Sequence, residues 1–576
     1  MSAREPGFNR ARRHWLSAAG IGAASSVLPG LSACRRAEPG GLRPDVQGGW
    51  VGAHADRGHA WRDAQTPNAA CAPPRRVHTL IIGAGVAGLS AARTLMRAGL
   101  DDLAVLDLED TPGGNARGHL VRGLPCPLGA HYLPMPGPDA TEVAQWLEEI
   151  GLIRHEHGRW VGDERHLCHS PQERLFIPDA KQDKPGLWRG QWRDGLLPQQ
   201  GLSADDLAQY RRFSQDVSTA SRELGFAMPT FKRHWHAGLA ALDQQSFAQW
   251  LSKQGYTSRP LLWLLDYACR DDFGAGLGRV SAWAGLHYFA SRHGFELPGQ
   301  GEAHDAVLTW PEGNGWLTRQ LARDLGDRVQ TGQVALQVEA GRHEVAVQSW
   351  HAGHQCRHSW LAQRVILCIP LFVAQRLLRT PLPPLQEMAP RMAYAPWLVS
   401  NVMLTTAFTD RPGMPLSWDN VPYTDEGVAG VPMPSLGYVD ARHQSLAPAT
   451  GPMLLTHYWA LGGQDATQGQ AMRSALLKGS WQDWARHVLA DLSRIHPDLP
   501  GLVQQMDLMR YGHAMSIPVP GVRGHAALAA LSEPHGRLHL AHSDLSGYSV
   551  FEEAFTHGVR AARQVLAASG MARRMA

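Results

Sequence analysis

Three kinds of residue in this sequence have the type and spacing to do chemistry: glycines that can cradle phosphates, acids that can hold a sugar, and histidines that can move protons. Gly83-Ala84-Gly85-Val86-Ala87-Gly88 follows the apolar run Val77 to Ile82 and opens an alanine-rich segment. A turn at Gly83, room for close backbone approach at Gly85 and a tight strand–helix contact at Gly88 make the arrangement that receives a dinucleotide pyrophosphate on a helix N-terminus. A second apolar run, Leu103 to Leu106, ends in Asp107 and Leu108. A carboxylate placed there accepts hydrogen bonds from a ribose and disfavours a 2′-phosphate. Gly113-Gly114-Asn115, with Arg117 close behind, supplies a second glycine element.

These three features together resemble the FAD-binding amino terminus of the flavin-containing amine oxidase family, which takes in protoporphyrinogen-oxidase-like and phytoene-desaturase-like enzymes. The resemblance continues at Gly129-Ala130-His131, at the strand carrying Val334, at Arg364 to Pro370, and at the closing stretch with Asp544, Phe551, Glu552 and Gly558. It implies non-covalent FAD held by Gly83, Gly85, Val86, Ala87, Gly88, Asp107, Leu108, Gly113, Gly114, Asn115, Arg117, Gly129, Ala130, His131, Val334, Asp544, Phe551 and Glu552. The implied fold is α/β: a three-layer, Rossmann-like FAD-binding domain assembled from discontinuous segments 76–135, 300–372 and 506–576, with an inserted α+β substrate domain at 136–299 and 373–505.

The chain departs from the family in three places. Asn115 stands where arginine is usual, and His542-Ser543-Asp544 replaces an Ala-Gly-acid run. By rough register Asn401 takes the place of a lysine that in amine oxidases holds a water near flavin N5 and aids reoxidation by oxygen. Lysine occurs only five times, and none lies between Lys253 and Lys478.

What the resemblance implies is an FAD-dependent oxidoreductase that moves a hydride from an amine C–H, or from a C–C bond, to flavin N5. His513, His131 and Tyr548 are the catalytic candidates, with His513 first. The alternatives are a desaturase or isomerase of an apolar, lipid-like substrate, and a tethered redox carrier or assembly factor without turnover of its own. Quinone and oxygen are the candidate electron acceptors.

The supporting elements follow from pattern. Pro138 to Ile150, Ser258 to Cys269, Ser281 to Arg292 and Glu553 to Ala562 read as helices, and Trp397 to Leu404 and Met453 to Trp459 as strands. Arg270-Asp271-Asp272-Phe273-Gly274 offers two readings: a solvated turn in which Arg270 caps a helix, which is preferred, or a cation and two carboxylates presented to a cavity. His351, His354, Cys356 and His358 have ligand-like chemistry but fall on a hairpin end, and no metal is expected. Six cysteines outside the amino-terminal segment lack CxxC spacing and read as buried thiols.

The 576 residues carry a formal charge of only +3 and are 44% hydrophobic, ample for two cores and without the basic stripe that nucleic-acid binding needs. No GxSxG elbow occurs, which disfavours a serine hydrolase. At the amino terminus, Arg12-Arg13 precede a mildly apolar stretch ending Leu31-Ser32-Ala33-Cys34. Residues 1–33 look like a twin-arginine signal with a lipobox. The expectation is export to the periplasm, a lipid-bearing Cys34 that contacts the outer membrane, and a tether over 34–75.

Overall fold

The computed structural model describes residues 41–571, apart from 64, 67, 179–189, 296, 298–305, 441–442 and 444–450. The signal reading of 1–33, and Cys34 with it, lies outside the described residues.

Two sheets organise the chain. The first is built on the run that carries the glycine turn: Arg75–Ile82 pairs in parallel with Leu103–Leu106 on one side and with the end of Cys356–Leu367 on the other. Leu538–Leu540 and Val329–Gln330 extend the parallel part. Gln333–Ala340, Val345–His351 and Cys356–Leu367 form an antiparallel meander that completes seven strands. Helices Val86–Arg97, Gly315–Ala322 and Phe551–Ala568 share one apolar layer, in which Leu89, Leu95, Leu321, Phe555 and Val559 are buried. A second layer lies across the sheet, around Val347, Trp360, Leu377 and Met388. This is the three-layer α/β arrangement.

The second sheet has eight strands, in the order Gln47–Trp50, Val503–Ile517, Ala393–Leu404, Met453–Ala460, Gly437–Asp440, Asp419–Pro422, Glu173–Pro178 and Gly190–Asp194. Its centre, Ala393–Leu404 beside Met453–Ala460, is buried almost throughout. Helices Ala466–Lys478 and Trp481–Ser493 pack into one core with it, through Met472, Trp484 and Leu489. Helices Ala204–Leu224, Arg259–Phe273 and Ala282–Tyr288 pack into another, through Phe213, Trp263, Phe273 and Trp283.

Several expectations are corrected. Helix Thr141–Glu149 belongs with the cofactor domain, because Trp146 stacks 6.0 Å from Phe551 and 5.3 Å from Phe555. The strand Val503–Ile517 pairs along Ala393–Leu404, so the return to the cofactor domain comes after 517 rather than at 506. The segment read as a tether is part of the fold from Gln47 onward. Gln47–Trp50 adds a parallel edge strand against Gln505 to Leu508, Trp61 Nε1 donates to the Leu336 carbonyl at 3.0 Å, and Arg57 pairs with Asp110. Cys71 and Cys356, read as free thiols, form a disulfide across 285 residues of sequence. A bridge pairing of Ala70 with Arg357 brings them together, and spacing along the chain carries no trace of it. Cys126, Cys168, Cys269 and Cys368 are free and buried, as expected.

Candidate cofactor and substrate cavity

Four strands of the first sheet, ending at Ile82, Leu106, Leu367 and Leu540, hand over to loops that line one cavity of about 390 Å³. Gly83, Gly85 to Ala87, Asp107, Cys368 to Pro370 and His542 to Asp544 all face it. Parallel α/β sheets bind ligands beyond their carboxyl ends for this reason: the strands stop there and the helix N-termini begin.

Local geometry explains the glycines. Gly83 has φ +103°, and a Cβ added at Gly88 would lie 1.8 Å from the Gly83 carbonyl oxygen, so the helix can close on the strand only without a side chain. Gly85 is the N-cap of Val86–Arg97 and no side chain caps that helix, which leaves first-turn N–H groups for an anion. Gly113 donates its N–H to the Ala84 carbonyl at 2.8 Å, and a Cβ at Gly114 would come 3.2 Å from the Gly85 Cα. Asp107 accepts from Ala84 N–H at 2.7 Å and Glu109 N–H at 2.9 Å. Burial raises its pKa against those two bonds.

Asn115 lines the cavity and its carbonyl accepts from Ala130 N–H, which ties the second glycine element to the Gly129 turn. That turn is held from below by two phenols: Tyr511 donates to the Leu128 carbonyl at 2.9 Å and Tyr458 to the Gly129 carbonyl at 3.1 Å. His131 stacks on Tyr458 with centroids 4.4 Å apart and touches Trp418 and Tyr132. Burial pushes its pKa down to about 3, against a backbone hydrogen bond with Gly129, so the imidazole is neutral at pH 7. Asp544 accepts from Leu371 N–H and from the Tyr394 hydroxyl at 2.6 Å. Burial works against its charge, but His542 and these donors hold its pKa below the usual range.

Of the residues predicted from sequence, Gly83, Gly85, Val86, Ala87, Asp107, Gly113, Gly114, Asn115, Gly129, Ala130, His131, Asp544, Phe551, Glu552 and His513 line this cavity. Gly88 packs behind it. Arg117, Leu108, Val334 and Tyr548 are not on the wall. Arg117 donates to the Gly114 carbonyl and faces Glu109, bracing the turn, while the Leu108 carbonyl is taken by Arg57. Val334 is buried in its strand. Tyr548 is fully buried with its hydroxyl given to Glu553, which places it in the core behind the wall. His513 sits exposed on the wall beside Phe372 and Tyr394, the tyrosine bonded to Asp544, and thus groups with the cofactor cradle. Its pKa is pulled down to about 4 by desolvation and by Arg473 and Arg376.

Sequence reasoning missed Trp397, Tyr458 and Arg292 on the wall, and gave Asp271 and Asp272, which also line it, only as the second of two readings. The preferred reading of Arg270-Asp271-Asp272 as a solvated turn is overturned: the three close the helix Arg259–Phe273, Arg270 and Asp272 are buried, and Arg292 donates to Asp272 at 2.9 Å. Asn401 is not on the cavity wall. It is fully buried, donates to the Pro127 carbonyl and accepts from Thr456, sharing a strand face with Trp397 and Val399 but lying past the cavity. No lysine among the described residues lines the cavity.

The turn, the acid and the uncapped helix fit the pyrophosphate and ribose of FAD, and a second sheet closes the same cavity. Fold and cradle therefore define a two-domain FAD-dependent oxidoreductase. The chain belongs to the flavin containing amine oxidoreductase family, which it matches over residues 86–566. It is 23% identical to an L-amino acid dehydrogenase of Synechocystis sp. over 531 residues, 87% of this chain and 97% of that protein. Among solved structures, putrescine oxidase with putrescine bound superposes with TM-score 0.61 at 19% identity, covering 86% of this chain and all of that one. A fatty acid isomerase from P. acnes shares the fold at TM-score 0.56 and 14% identity, over 85% and 98% of the two chains.

Proposed function

We propose that this enzyme oxidises the C–H bond beside nitrogen in a small amine. FAD, when bound, accepts the hydride; the amine also loses an N–H proton and leaves as an imine, which water hydrolyses. One observation supports this above the others: a neutral imidazole, His131, stands among Tyr132, Trp397 and Tyr458 on the cavity wall. Aromatic faces attract an ammonium group and pack against its alkyl chain, and an unprotonated imidazole nitrogen accepts the amine N–H. His131 is thus the acid/base we assign, ahead of His513.

Amino acids are less well suited, because Arg292, the one arginine among the described residues of the wall, is already engaged by Asp272 and lies 4.0 Å from Glu552. Asp271, Asp272 and Glu552 on that side offer the head of a fatty acid no cation of their own. With no lysine on the described wall, a quinone is the proposed electron acceptor over oxygen. Anaerobic titration of the holoenzyme with amines, amino acids and fatty acids is the test. Bleaching of the oxidised flavin band by amines alone, with faster turnover on a soluble quinone than in air, is the expected result. A flavin that no amine reduces refutes the reading and favours a redox carrier.

The amino-terminal sequence supports a location as well: export by the twin-arginine route and lipid anchoring at Cys34. Replacing Cys34 with serine is expected to move the protein from the membrane to the soluble periplasmic fraction; an unchanged distribution refutes the anchor.

A further inference from the structure

The disulfide between Cys71 and Cys356 sits at a second concentration of reactive side chains, none of which lines the cofactor cavity. The two sulfurs and a ring nitrogen of His358 all lie within 4.8 Å of one another. Cys356 and His358 flank Arg357 on one strand, so alternation turns both to the same face. Backbone alone delivers Cys71 to that face: Arg357 N–H donates to the Ala69 carbonyl at 2.7 Å, and Cys71 N–H to the Arg357 carbonyl at 2.8 Å. Arg357 Nη2 also donates to Thr66 Oγ1 at 3.1 Å. None of these bonds involves sulfur, so they keep the three groups together when the S–S bond is open.

Two thiolates and an imidazole are a ligand set for a borderline-soft cation such as Zn²⁺, with water in the fourth tetrahedral position. The surroundings suit that use. Gln333 is buried, accepts from the Ser349 hydroxyl at 2.8 Å and places its amide 3.2 Å from His358 Nδ1. An amide offers both a donor and an acceptor, so it orients the ring in either tautomer, as the outer partner of a metal-bound histidine does. Burial first, then His351 and Arg75, hold the His358 pKa below the ordinary histidine value, so the ring keeps a lone pair at pH 7. His351 is a neighbour and not a ligand: its Nδ1 accepts from the Gly353 and His354 N–H groups, which puts the ring proton on Nε2. Cys126, Cys168, Cys269 and Cys368 do not compete, because burial pushes all four pKa values up and disfavours the thiolate a metal needs.

We infer that Cys71, Cys356 and His358 form a redox-gated metal site: with the disulfide reduced, the two thiolates and the imidazole bind Zn²⁺, and the metal replaces the S–S bond in clipping the segment before Cys71 to the sheet. Reduction by a dithiol breaks the S–S bond, gives the two sulfurs two electrons and two protons, and leaves the dithiol as its own disulfide. The cation then displaces both thiol protons to solvent. The site is independent of the amine reading.

The test uses the FAD-loaded protein, reduced with dithiothreitol, desalted without air, and titrated with Co²⁺ and then Zn²⁺. The d–d bands of thiolate-bound Co²⁺ lie to the red of flavin absorption. One Co²⁺ per chain with such bands is expected in the reduced protein, displaced by Zn²⁺, and none in the oxidised protein; Zn²⁺ is expected to raise the melting temperature of the reduced form alone. Cys71→Ser is expected to abolish the bands. His358→Ala is expected to weaken Co²⁺ binding by about 100-fold or more, beyond what loss of an orienting partner alone costs. Flavin content checks the fold of each variant, and where a variant does not hold FAD the reduced and oxidised wild type decide alone. Reduced wild type without thiolate bands overturns the site, as does equal binding by the oxidised protein. Bands that persist in Cys71→Ser, or unchanged affinity in His358→Ala, overturn the assignment to these residues.

Discussion

Gly85 and Gly88 lie three residues apart in one turn, yet the structure gives them different jobs, and alanine separates the two. At Gly85 the backbone has φ −74° and ψ −175°, which any residue adopts, and an added Cβ meets only the Gly114 Cα, at 3.9 Å. The apoprotein is therefore expected to accept Gly85→Ala, with a gain of about 0.4–1 kcal/mol from the less flexible unfolded chain. The methyl group occupies space that a pyrophosphate needs. Losing one charge-assisted hydrogen bond costs about 1.5–3 kcal/mol, or roughly 10- to 150-fold in FAD affinity. At Gly88 the added atom lies 1.8 Å from the Gly83 oxygen and 3.0 Å from its carbon, so Gly88→Ala forces strand and helix apart and costs about 1–3 kcal/mol or more even without cofactor. The assay is a pair of measurements on each protein: thermal melting of the apoprotein, and FAD affinity by quenching of flavin fluorescence. Gly85→Ala is expected to leave the apoprotein melting temperature unchanged or slightly raised while affinity falls; Gly88→Ala lowers both. Wild-type FAD affinity in Gly85→Ala would falsify the phosphate cradle.

Two further outcomes follow from buried groups. Asn401→Ala leaves the Pro127 carbonyl without its donor and Thr456 without its acceptor, at about 1–3 kcal/mol, and Asn401→Lys is expected to lower stability without making the flavin more reactive to oxygen; an oxidase gained by the lysine variant would return position 401 to the active site. Asp271 has its pKa pushed up to about 7 by burial and by Asp272, against Arg292, Arg270 and a hydrogen bond with Tyr132, with Asp419, Tyr288 and Tyr267 also facing it. A carboxyl raised on folding stabilises fully below its unfolded pKa of about 3.9 and loses that contribution as pH rises through the folded value. The apoprotein of Asp271→Asn is expected to melt higher than wild type above about pH 7, with the gap closing as pH falls toward about 4; a gap that widens in acid contradicts this.

The amino-acid sequence by itself determined the cofactor half of this protein. Gly83 to Asp107 is one strand, one turn, one helix and the next strand, so spacing along the chain is spacing in space, and the turn, the helix start and the acid meet at one cavity. Gly113-Gly114 and the Gly129 turn were legible for the same reason. The other half was decided by tertiary structure. Asn401 shares a strand face with Trp397 and Val399, and alternation gives that face, but only the packed Pro127 turn shows that the cavity ends before it. The Cys71–Cys356 pair depends on an edge contact between segments 285 residues apart. Asp271 and Asp272 looked like a solvated turn because a polar run has no local mark of burial; strands at Trp397 and Tyr458 and a helix start at Glu552 had to close around them first. Local backbone geometry can be written in a short motif. The wall that chooses a substrate is assembled from residues 132, 271, 292, 397, 458 and 552, and their proximity exists only once both sheets have packed.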